Sequence, residues 1–388
     1  MARKALNRSF LFLLVIGFSI LLFYRFVVDR RLMVAPEWHH RLTLKAVLST
    51  ALASNDQDDR TEDISTDFWN NNLTFSISDS DVIVFLHIQK TGGTTFGRHL
   101  VQNLSLKQPC NCQGGKKQNA SNRNKKGKLK KRSKLRCQCH RPNSTDIWLF
   151  SRYSTGWKCG LHADYTELME CLPHYFRKFD NNRSHKISNR RYHFITELRN
   201  PINRYLSEYQ HVTRGATWKK SRHKCNGRLP TVKELPPCYN GSNWNYVTLK
   251  DFIACKYNLA NNRQTRMLAD LRLVNCYENS SMSLQQRNRI LLNSAKFNLK
   301  RMAYFGLIEY QRESQVMFEH RFGLKFIQPF MQYDFNQTYA SEVLYKLSPE
   351  IIHKIREINS MDIQLYNYAL KLFKRRWNSL KAIINATR

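Results

Sequence analysis

Acidic residues are scarce in this 388-residue chain, where 29 Asp and Glu stand against 63 Lys and Arg and the net charge is +34. That imbalance excludes an ordinary neutral housekeeping enzyme and predicts that the chain meets a polyanion as substrate, partner or surface. Disorder of the whole chain is also excluded, because 42% of its residues are hydrophobic and 12% are aromatic, enough for a large core. The sequence has no internal repeat.

Cysteine is absent from the first 109 residues, and all ten cysteines lie from Cys110 onwards. Ten in a chain of this length are too few for a small disulfide scaffold. Nine N-x-S/T sequons, from Asn72 to Asn385, likewise lie well away from the N-terminus. An oxidising lumen would pair the cysteines and offer the sequons for glycosylation. We therefore predict that the C-terminal bulk of the chain is lumenal.

The N-terminus lacks a small-residue cleavage site after its apolar run, so we predict an uncleaved anchor. Phe10 to Tyr24 carries no charge, and a snorkelling Arg25 extends the apolar stretch to about one bilayer span. The predicted parts are a cytoplasmic tail over 1–8 and a transmembrane signal anchor over 9–28. Basic residues flank both ends, so the orientation depends on the sequons and cysteines. These features predict a single-pass type II protein of the Golgi membrane with a lumenal catalytic domain.

Alternating apolar strands and helical patterns begin at Val82, after a polar segment over 29–81 that is typical of a lumenal stem. The predicted strands are Val82–Leu86, His193–Thr196 and Ala303–Leu307. Their alternation with helices predicts one α/β domain over 82–377 with a central parallel sheet flanked by helices.

A capped helix is predicted near the C-terminus. Ser348 is a typical N-cap, Pro349 suits the first helical position, and apolar residues recur at helical spacing as far as Phe373. Residues 378–388 are predicted to be a C-terminal tail.

A basic segment without any acid interrupts the domain over 116–136, where eleven residues are Lys or Arg. Such a segment cannot pack into a core and is predicted to be a loop inserted between two C-x-C pairs. It is either a solvated tether or a loop that grips a polyanion. The chain without these eleven charges still carries +23, so the folded part is basic as well.

The turn after the first strand reads Gln89-Lys90-Thr91-Gly92-Gly93-Thr94-Thr95 and opens a helical pattern. Glycines let backbone N–H groups converge, and a helix N-terminus adds partial positive charge, so this turn predicts an anion site. It is not a Walker A motif, because the Lys precedes the glycines, and no Mg²⁺-holding Asp is evident at a matching strand end. The predicted ligand is phosphate-like but is not a nucleoside triphosphate.

A second anion site is predicted where the strand at Phe194 ends. Arg199 follows that strand, and Ser207 lies two turns into the next helix on the side that faces back toward it. Two anion sites at the carboxyl ends of two parallel strands suit a nucleotide with phosphates at both ends of its ribose.

The sequence resembles the heparan-sulfate 6-O-sulfotransferases, a branch of the Golgi carbohydrate sulfotransferases. The resemblance covers nearly everything from Val82 to Trp377, and it is carried by five long stretches: Phe85 to Asn103, Trp148 to Leu168, Leu198 to Lys219, Asn258 to Leu271 and Lys325 to Tyr333. It implies a P-loop-like sulfotransferase fold. It also implies transfer of a sulfuryl group from 3′-phosphoadenylyl sulfate to the 6-hydroxyl of glucosamine in heparan sulfate.

The resemblance assigns the donor site residue by residue. The 5′-phosphosulfate loop would be His87, Ile88, Gln89, Lys90, Thr91, Gly92, Gly93, Thr94 and Thr95, with Lys90 neutralising charge on the transferring group. Arg199 and Ser207 would bind the 3′-phosphate. The segment that closes over the nucleotide would use Met331, Gln332, Tyr333, Gln337 and Thr338, with Gln337 standing where the family pattern has an Arg.

The resemblance also assigns the acceptor side and the general base. Arg152, Trp157, His211 and Trp218 would bind the sugar chain together with Lys134 or Arg136. Arg reads sulfate and carboxylate in a bidentate way, and Trp offers a sugar ring a flat apolar face. His162, in the motif Gly160-Leu161-His162-Ala163-Asp164, would take the proton of the sugar hydroxyl.

No metal is expected, since C-x-C pairs are weak indications of zinc, and bridges between the two pairs would instead pin the base of the basic segment. Two other functions stay open: another glycan O-sulfotransferase, such as a 2-O enzyme, or a catalytically silent, membrane-anchored heparin-binding protein. Nucleic acid is not expected as a partner, because the lumen offers sulfated glycans instead. The sequence does not indicate the oligomeric state.

Overall fold

The computed structural model describes residues 68–69, 75–114, 134–181, 190–216, 222–278, 282–331 and 343–387. The chain divides into two compact units, 1–53 and 54–388, and all of the described residues belong to the second. The predicted anchor, most of the stem, most of the basic segment and the site residues Trp218, Gln332, Tyr333, Gln337 and Thr338 lie outside the described residues. Within the ranges given above, no helix is both long and apolar enough to cross a membrane.

The strands are β1 (Val82–Leu86), β2 (Asn111–Gln113), β3 (Arg136–Gln138), β4 (Leu149–Phe150), β5 (Tyr192–Leu198) and β6 (Tyr304–Leu307). The helices are α1 (Gly93–Gln102), α2 (Tyr165–Asn181), α3 (Pro201–Thr213), α4 (Leu249–Ala254), α5 (Arg263–Leu268), α6 (Leu284–Arg301), α7 (Gln311–Phe322), α8 (Pro349–Ile358) and α9 (Ser360–Ala386). Short 3₁₀ turns occupy Leu271–Val274 and Ile308–Tyr310.

A parallel sheet with strand order β4-β1-β5-β6 forms the centre of the domain. All five side chains of β1 are buried, as expected for a strand with neighbours on both edges and helices on both faces. This confirms the predicted α/β fold with a central parallel sheet flanked by helices. Leu86 pairs with Thr196, so the turn after β1 and the residues after β5 emerge at the same edge of the sheet.

Residues upstream of Val82 take part in the packing of the sheet. The buried carboxylate of Asp81 accepts hydrogen bonds from Arg191, and its main-chain carbonyl accepts one from Arg141. Phe75 packs edge-on against Phe322. The packed structure therefore includes Phe75 to Asp81, which the sequence assigned to the stem.

The C-terminal helical region begins as predicted, with Ser348 accepting a hydrogen bond from the Ile351 N–H. It is divided at Asn359, which the helical spacing did not predict. The cause is tertiary: the side-chain oxygen of Asn262 accepts hydrogen bonds from the N–H groups of Met361 and Asp362, so it caps a new helix there. That helix, α9, then runs to Ala386 through most of the segment predicted as a tail.

Candidate active site

The turn between β1 and α1 adopts the geometry that its glycines permit. Gly92 has φ of 74°, and a Cβ at this position would lie 2.1 Å from Ile308 Cδ1. The positive φ favours glycine, and any other residue would also require the Ile308 side chain to move. Lys90 is also left-handed, with φ of 67°, and the Thr91 hydroxyl donates to the carbonyl of Ile88. The turn thus brings the N-terminus of the ten-residue helix α1 to the sheet edge, and the end of a helix that carries free N–H groups favours an anion.

Lys90 reaches across to helix α3. Its Nζ lies 3.1 Å from His211 Nδ1, and since an ammonium has only donors, the imidazole accepts this hydrogen bond. Burial lowers the pKa of Lys90, and nearby arginines including Arg199 lower it further, while the carboxylate of Glu208 opposes them. Burial and the Lys90 charge lower the pKa of His211 as well. The two residues predicted for the donor and acceptor sides are therefore in direct contact.

Arg199 is held at the end of β5 by its backbone. Its N–H donates to Gln264 Oε1 and its carbonyl accepts from Gln264 Nε2, which clamps the residue to helix α5. Its guanidinium donates to the carbonyl of Lys90 at 3.3 Å. Ser207 lies one turn before His211 on α3, so the two share a face of that helix. The two predicted anion sites thus lie at one edge of the sheet and share contacts through Lys90.

His162 lies in the segment before α2 and has a left-handed backbone conformation, with φ of 56°. Its Nδ1 is 3.1 Å from the carbonyl oxygen of His87, the first residue of the predicted donor loop. A carbonyl only accepts, so Nδ1 carries the hydrogen and Nε2 is the basic nitrogen. Burial lowers the pKa of His162 to about 3, and the positive charges of Arg263 and Arg152 contribute. The imidazole is therefore neutral at physiological pH, and its Nε2 is unprotonated.

A cleft contains His162 together with His87, Arg152 and Trp157. The Trp157 ring lies 4.7 Å from the His162 ring, and the Arg152 guanidinium lies 5.0 Å from the Trp157 centroid. Trp157 is 36% exposed, so its ring is available to a sugar. An apolar cavity next to the Cys238–Cys255 disulfide contains none of the predicted site residues.

All ten cysteines form disulfides: Cys110–Cys139, Cys112–Cys137, Cys159–Cys171, Cys225–Cys276 and Cys238–Cys255. The first two link the C-x-C pairs through the short ladder of β2 and β3, and so they close the base of the basic segment. Lys134 and Arg136 lie exposed at that base. β3 also contacts the segment with Arg152, because the Cys137 N–H donates to the carbonyl of Tyr153.

Comparison with known proteins bears on what this site does. A family model described as "Sulfotransferase family" matches residues 73–369. The chain belongs to the sulfotransferase family. The matching relatives also specify the branch: the chain is 53% identical over 311 residues to heparan-sulfate 6-O-sulfotransferase 3 of Homo sapiens, covering 80% of this chain and 61% of that protein.

Two further relatives carry the same branch name. Identity is 53% over 305 residues to heparan-sulfate 6-O-sulfotransferase 2 of Danio rerio, covering 79% of this chain and 60% of that protein. Identity is 52% over 305 residues to heparan-sulfate 6-O-sulfotransferase 1 of Homo sapiens, covering 79% of this chain and 68% of that protein. The matched part thus spans about three fifths of the length of the first of these relatives, and this sulfotransferase belongs to the 6-O branch.

The described part of this sulfotransferase brings most of the predicted residues to one edge of the sheet. His87 to Thr95, Arg199 and His211 are linked by the contacts given above, and Arg152, Trp157 and His162 line the adjoining cleft. Met331 is 63% exposed, lies at the end of a described range and is not among the residues that these contacts link.

The sequence analysis did not predict a buried network of charged side chains next to the site. Glu208 accepts hydrogen bonds from Arg204 on its own helix and from Arg263 on α5, and these cations hold the pKa of its carboxyl at about 2 despite burial. The four-residue spacing of Arg204 and Glu208 was the available signal. The partner Arg263 is 55 positions away from Glu208, so no local pattern could reveal it.

A second missed group lies behind His162. Asp164, Glu167 and His223 are buried, and each offers one ligand-type atom within 4.8 Å of the other two. The Glu167 N–H donates to Asp164 Oδ1, which is half of a capping box at the start of α2. His223 Nδ1 lies 3.0 Å from Glu167 Oε2. The D-x-x-E spacing was visible in the sequence, but His223 was not.

Proposed function

We propose that this protein transfers a sulfuryl group from 3′-phosphoadenylyl sulfate to the 6-hydroxyl of glucosamine in heparan sulfate. The activity for which its relatives are named supports this, and one contact carries the proposal: His162 Nδ1 donates to the carbonyl of His87. This contact leaves Nε2 as the base. It also joins the segment that carries the base, Gly160–Asp164 (the base segment), to the first residue of the donor loop. Donor and acceptor have to meet at that junction.

The donor-site residues fit a sulfated nucleotide. The turn at Gly92 opens helix α1, and buried Gln89 has an amide without a hydrogen-bond partner among the described residues. We assign the 5′-phosphosulfate to His87–Thr95 and the 3′-phosphate to Arg199 and Ser207. Met331, Gln332, Tyr333, Gln337 and Thr338 would close over the nucleotide, as the family resemblance implies.

The proposed chemistry is an in-line transfer. The donor supplies a sulfuryl group on a phosphate leaving group. His162 Nε2 takes the proton of the 6-hydroxyl while the bond from O6 to sulfur forms and the bond from sulfur to the phosphate oxygen breaks. Lys90 neutralises the charge that develops on that oxygen, for which it has to leave His211. The product proton then resides on His162.

We assign the acceptor to the face next to this junction. Arg152 would pair with sulfate or carboxylate groups, Trp157 and Trp218 would pack against sugar rings, and His211 would contact the chain from α3. Lys134 or Arg136 would extend this face toward the basic segment. The net charge of +34 supports a long polyanionic acceptor.

We further propose that the protein is a single-pass type II protein of the Golgi membrane. The cytoplasmic tail would cover 1–8, the anchor 9–28 and the stem the residues from 29 to the packed segment that begins at Phe75, with the catalytic domain in the lumen. The five disulfides support an oxidising compartment. So do exposed sequon residues at Asn143, Asn240 and Asn385.

The decisive assay uses the full chain with labelled 3′-phosphoadenylyl sulfate and chemically de-6-O-sulfated heparin, followed by disaccharide analysis. New 6-O-sulfate is expected, and His162→Ala should lower its rate about 10²- to 10⁴-fold, the usual contribution of a general base. His174→Ala is the control, because His174 lies exposed on α2.

Other products would contradict the proposal. Label at O2 would identify a different glycan O-sulfotransferase. Tight heparin binding without any transfer would identify a silent heparin-binding protein.

A further inference from the structure

Glu167, which lies next to the base segment, makes hydrogen bonds to residues from two parts of the chain. Its carboxylate accepts hydrogen bonds from His223 Nδ1 at 3.0 Å and from the Lys224 N–H at 2.7 Å, while its own N–H donates to Asp164. Asp164 caps the helix that follows His162, and it is buried. The group therefore joins the start of α2 to residues that lie more than fifty positions away in the sequence.

His223 is itself anchored from a third segment. The Tyr277 hydroxyl donates to the carbonyl of His223 at 2.7 Å. The disulfide Cys225–Cys276 connects the same two segments. Residues 217–221, which include Trp218 of the proposed acceptor side, immediately precede this anchored stretch. His223 is thus the side chain through which an anchored region contacts the helix behind the base.

The Glu167 carboxylate also borders the base segment directly. A Cβ on Gly160, where φ is 130°, would lie 3.4 Å from both carboxylate oxygens of Glu167. His162 follows two residues later in a left-handed conformation, and Asp164 caps the helix two residues after that. The Glu167–His223 pair therefore lies against the backbone whose shape orients His162.

The His223 imidazole is important to this arrangement because it lies beside the carboxyl groups of Asp164 and Glu167. Two carboxyl groups are buried together, and Asp164 Oδ2 has no hydrogen-bond partner among the described residues. Burial and the neighbouring Glu167 raise the pKa of Asp164, while His223 opposes that rise. Loss of one partner of a buried pair leaves a costly group that recruits water or shifts the backbone.

We propose that His223 is a positioning residue that acts through Glu167 to hold His162 in its reactive orientation. This inference rests on the proposed function, because it assumes that His162 is the base. A displacement of about 1 Å in a catalytic group can cost about 10²-fold in rate, so the pair can influence catalysis without touching substrate.

The test measures steady-state sulfate transfer by the full chain for His223→Ala, His223→Asn and His223→Gln. Asn places an N–H where His Nδ1 lies, whereas Gln places one where Nε2 lies. We expect His223→Ala to lower kcat about 10- to 100-fold while the affinity for adenosine 3′,5′-bisphosphate stays within about twofold. We expect His223→Asn to recover most of the rate and His223→Gln to recover less.

A double-mutant cycle separates positioning from a general structural role. If His223 acts through His162, then His223→Ala in a His162→Ala background should cause no further loss of kcat. A further tenfold loss in that background, or equal rates for the Asn and Gln variants, would overturn the inference. A divalent ion that copurifies with the chain and disappears in His223→Ala would also overturn it. If the wild-type chain makes no 6-O-sulfate, the proposed function fails first.

Discussion

The donor loop and the base segment differ in what holds them in place. The donor loop, His87–Thr95, follows directly from a strand, a glycine pair and a helix start, so its geometry is local. The base segment, Gly160–Asp164, is held by a disulfide, by the carbonyl of His87 and by the Glu167–His223 pair. The donor loop is therefore encoded within about ten residues, whereas the base segment depends on contacts from three other segments: α2, the residue His87 and the residue His223. Substitutions in the donor loop should affect donor binding or stabilisation of the leaving group, whereas damage to the base segment should reduce the rate with donor affinity unchanged.

After the loss expected for His162→Ala, the largest expected effect is on the donor side. Lys90→Ala should lower kcat about 10²- to 10³-fold, as removal of one electrostatic stabiliser of a transition state usually does. Sulfate transfer at saturating donor measures this. Lys107→Ala is the matched control, since Lys107 is exposed after α1. Loss of less than about threefold in Lys90→Ala would show that another cation stabilises the leaving group.

A smaller effect should follow from the glycine turn. Gly92→Ala and Gly227→Ala both introduce a Cβ at φ of 74°, but only Gly92 has a neighbour, Ile308, within 4 Å of that Cβ. The shared strain costs about 1–2 kcal/mol. We expect Gly92→Ala to weaken binding of adenosine 3′,5′-bisphosphate about 10-fold or more in calorimetry, with Gly227→Ala unchanged. Equal affinities would mean that the turn does not shape the donor site.

Removal of a disulfide should affect the base segment more selectively. Cys159→Ser/Cys171→Ser and Cys238→Ser/Cys255→Ser each open a short loop, and each should destabilise the fold by about 3 kcal/mol. The first pair should also lower kcat about 10-fold with donor affinity unchanged, because it frees one end of the segment that carries His162. Thermal unfolding and steady-state kinetics distinguish the two. A loss of donor affinity instead would remove the contrast between the regions.

The smallest effect concerns pH and stability. The pKa of His162 is lowered to about 3 in the folded chain, against an ordinary value of 6.5. The unfolded chain therefore binds more protons between these values, so stability is greatest above pH 6.5 and falls as the pH drops toward 3. Between pH 7 and 5 this contributes about 2 kcal/mol. Denaturant unfolding of His162→Gln should show a correspondingly smaller decline than the wild type, while His174→Gln, at an exposed position, should match the wild type.

Much of the fold could be predicted from local patterns. The strand at Val82–Leu86 is a continuous apolar run, and Ser348 with Pro349 marks a helix start, because in both cases the determining residues are neighbours in sequence. The division at Asn359 could not be predicted, since its cause is the side chain of Asn262 nearly one hundred positions away. The sequence predicted disulfides only between the two C-x-C pairs, and it did not predict how the other six cysteines pair.

The sequence by itself determined the basic charge, the parallel α/β sheet and the glycine turn, because these depend on composition and on spacing over a few residues. Only the tertiary structure decided that Lys90 contacts His211, that the carbonyl of His87 selects the tautomer of His162, and that His223 supports Glu167. Each of these contacts joins segments 56 to 121 residues apart. Hydrogen-bond geometry and shared burial create them, and neither exists until the sheet has brought its strand ends together.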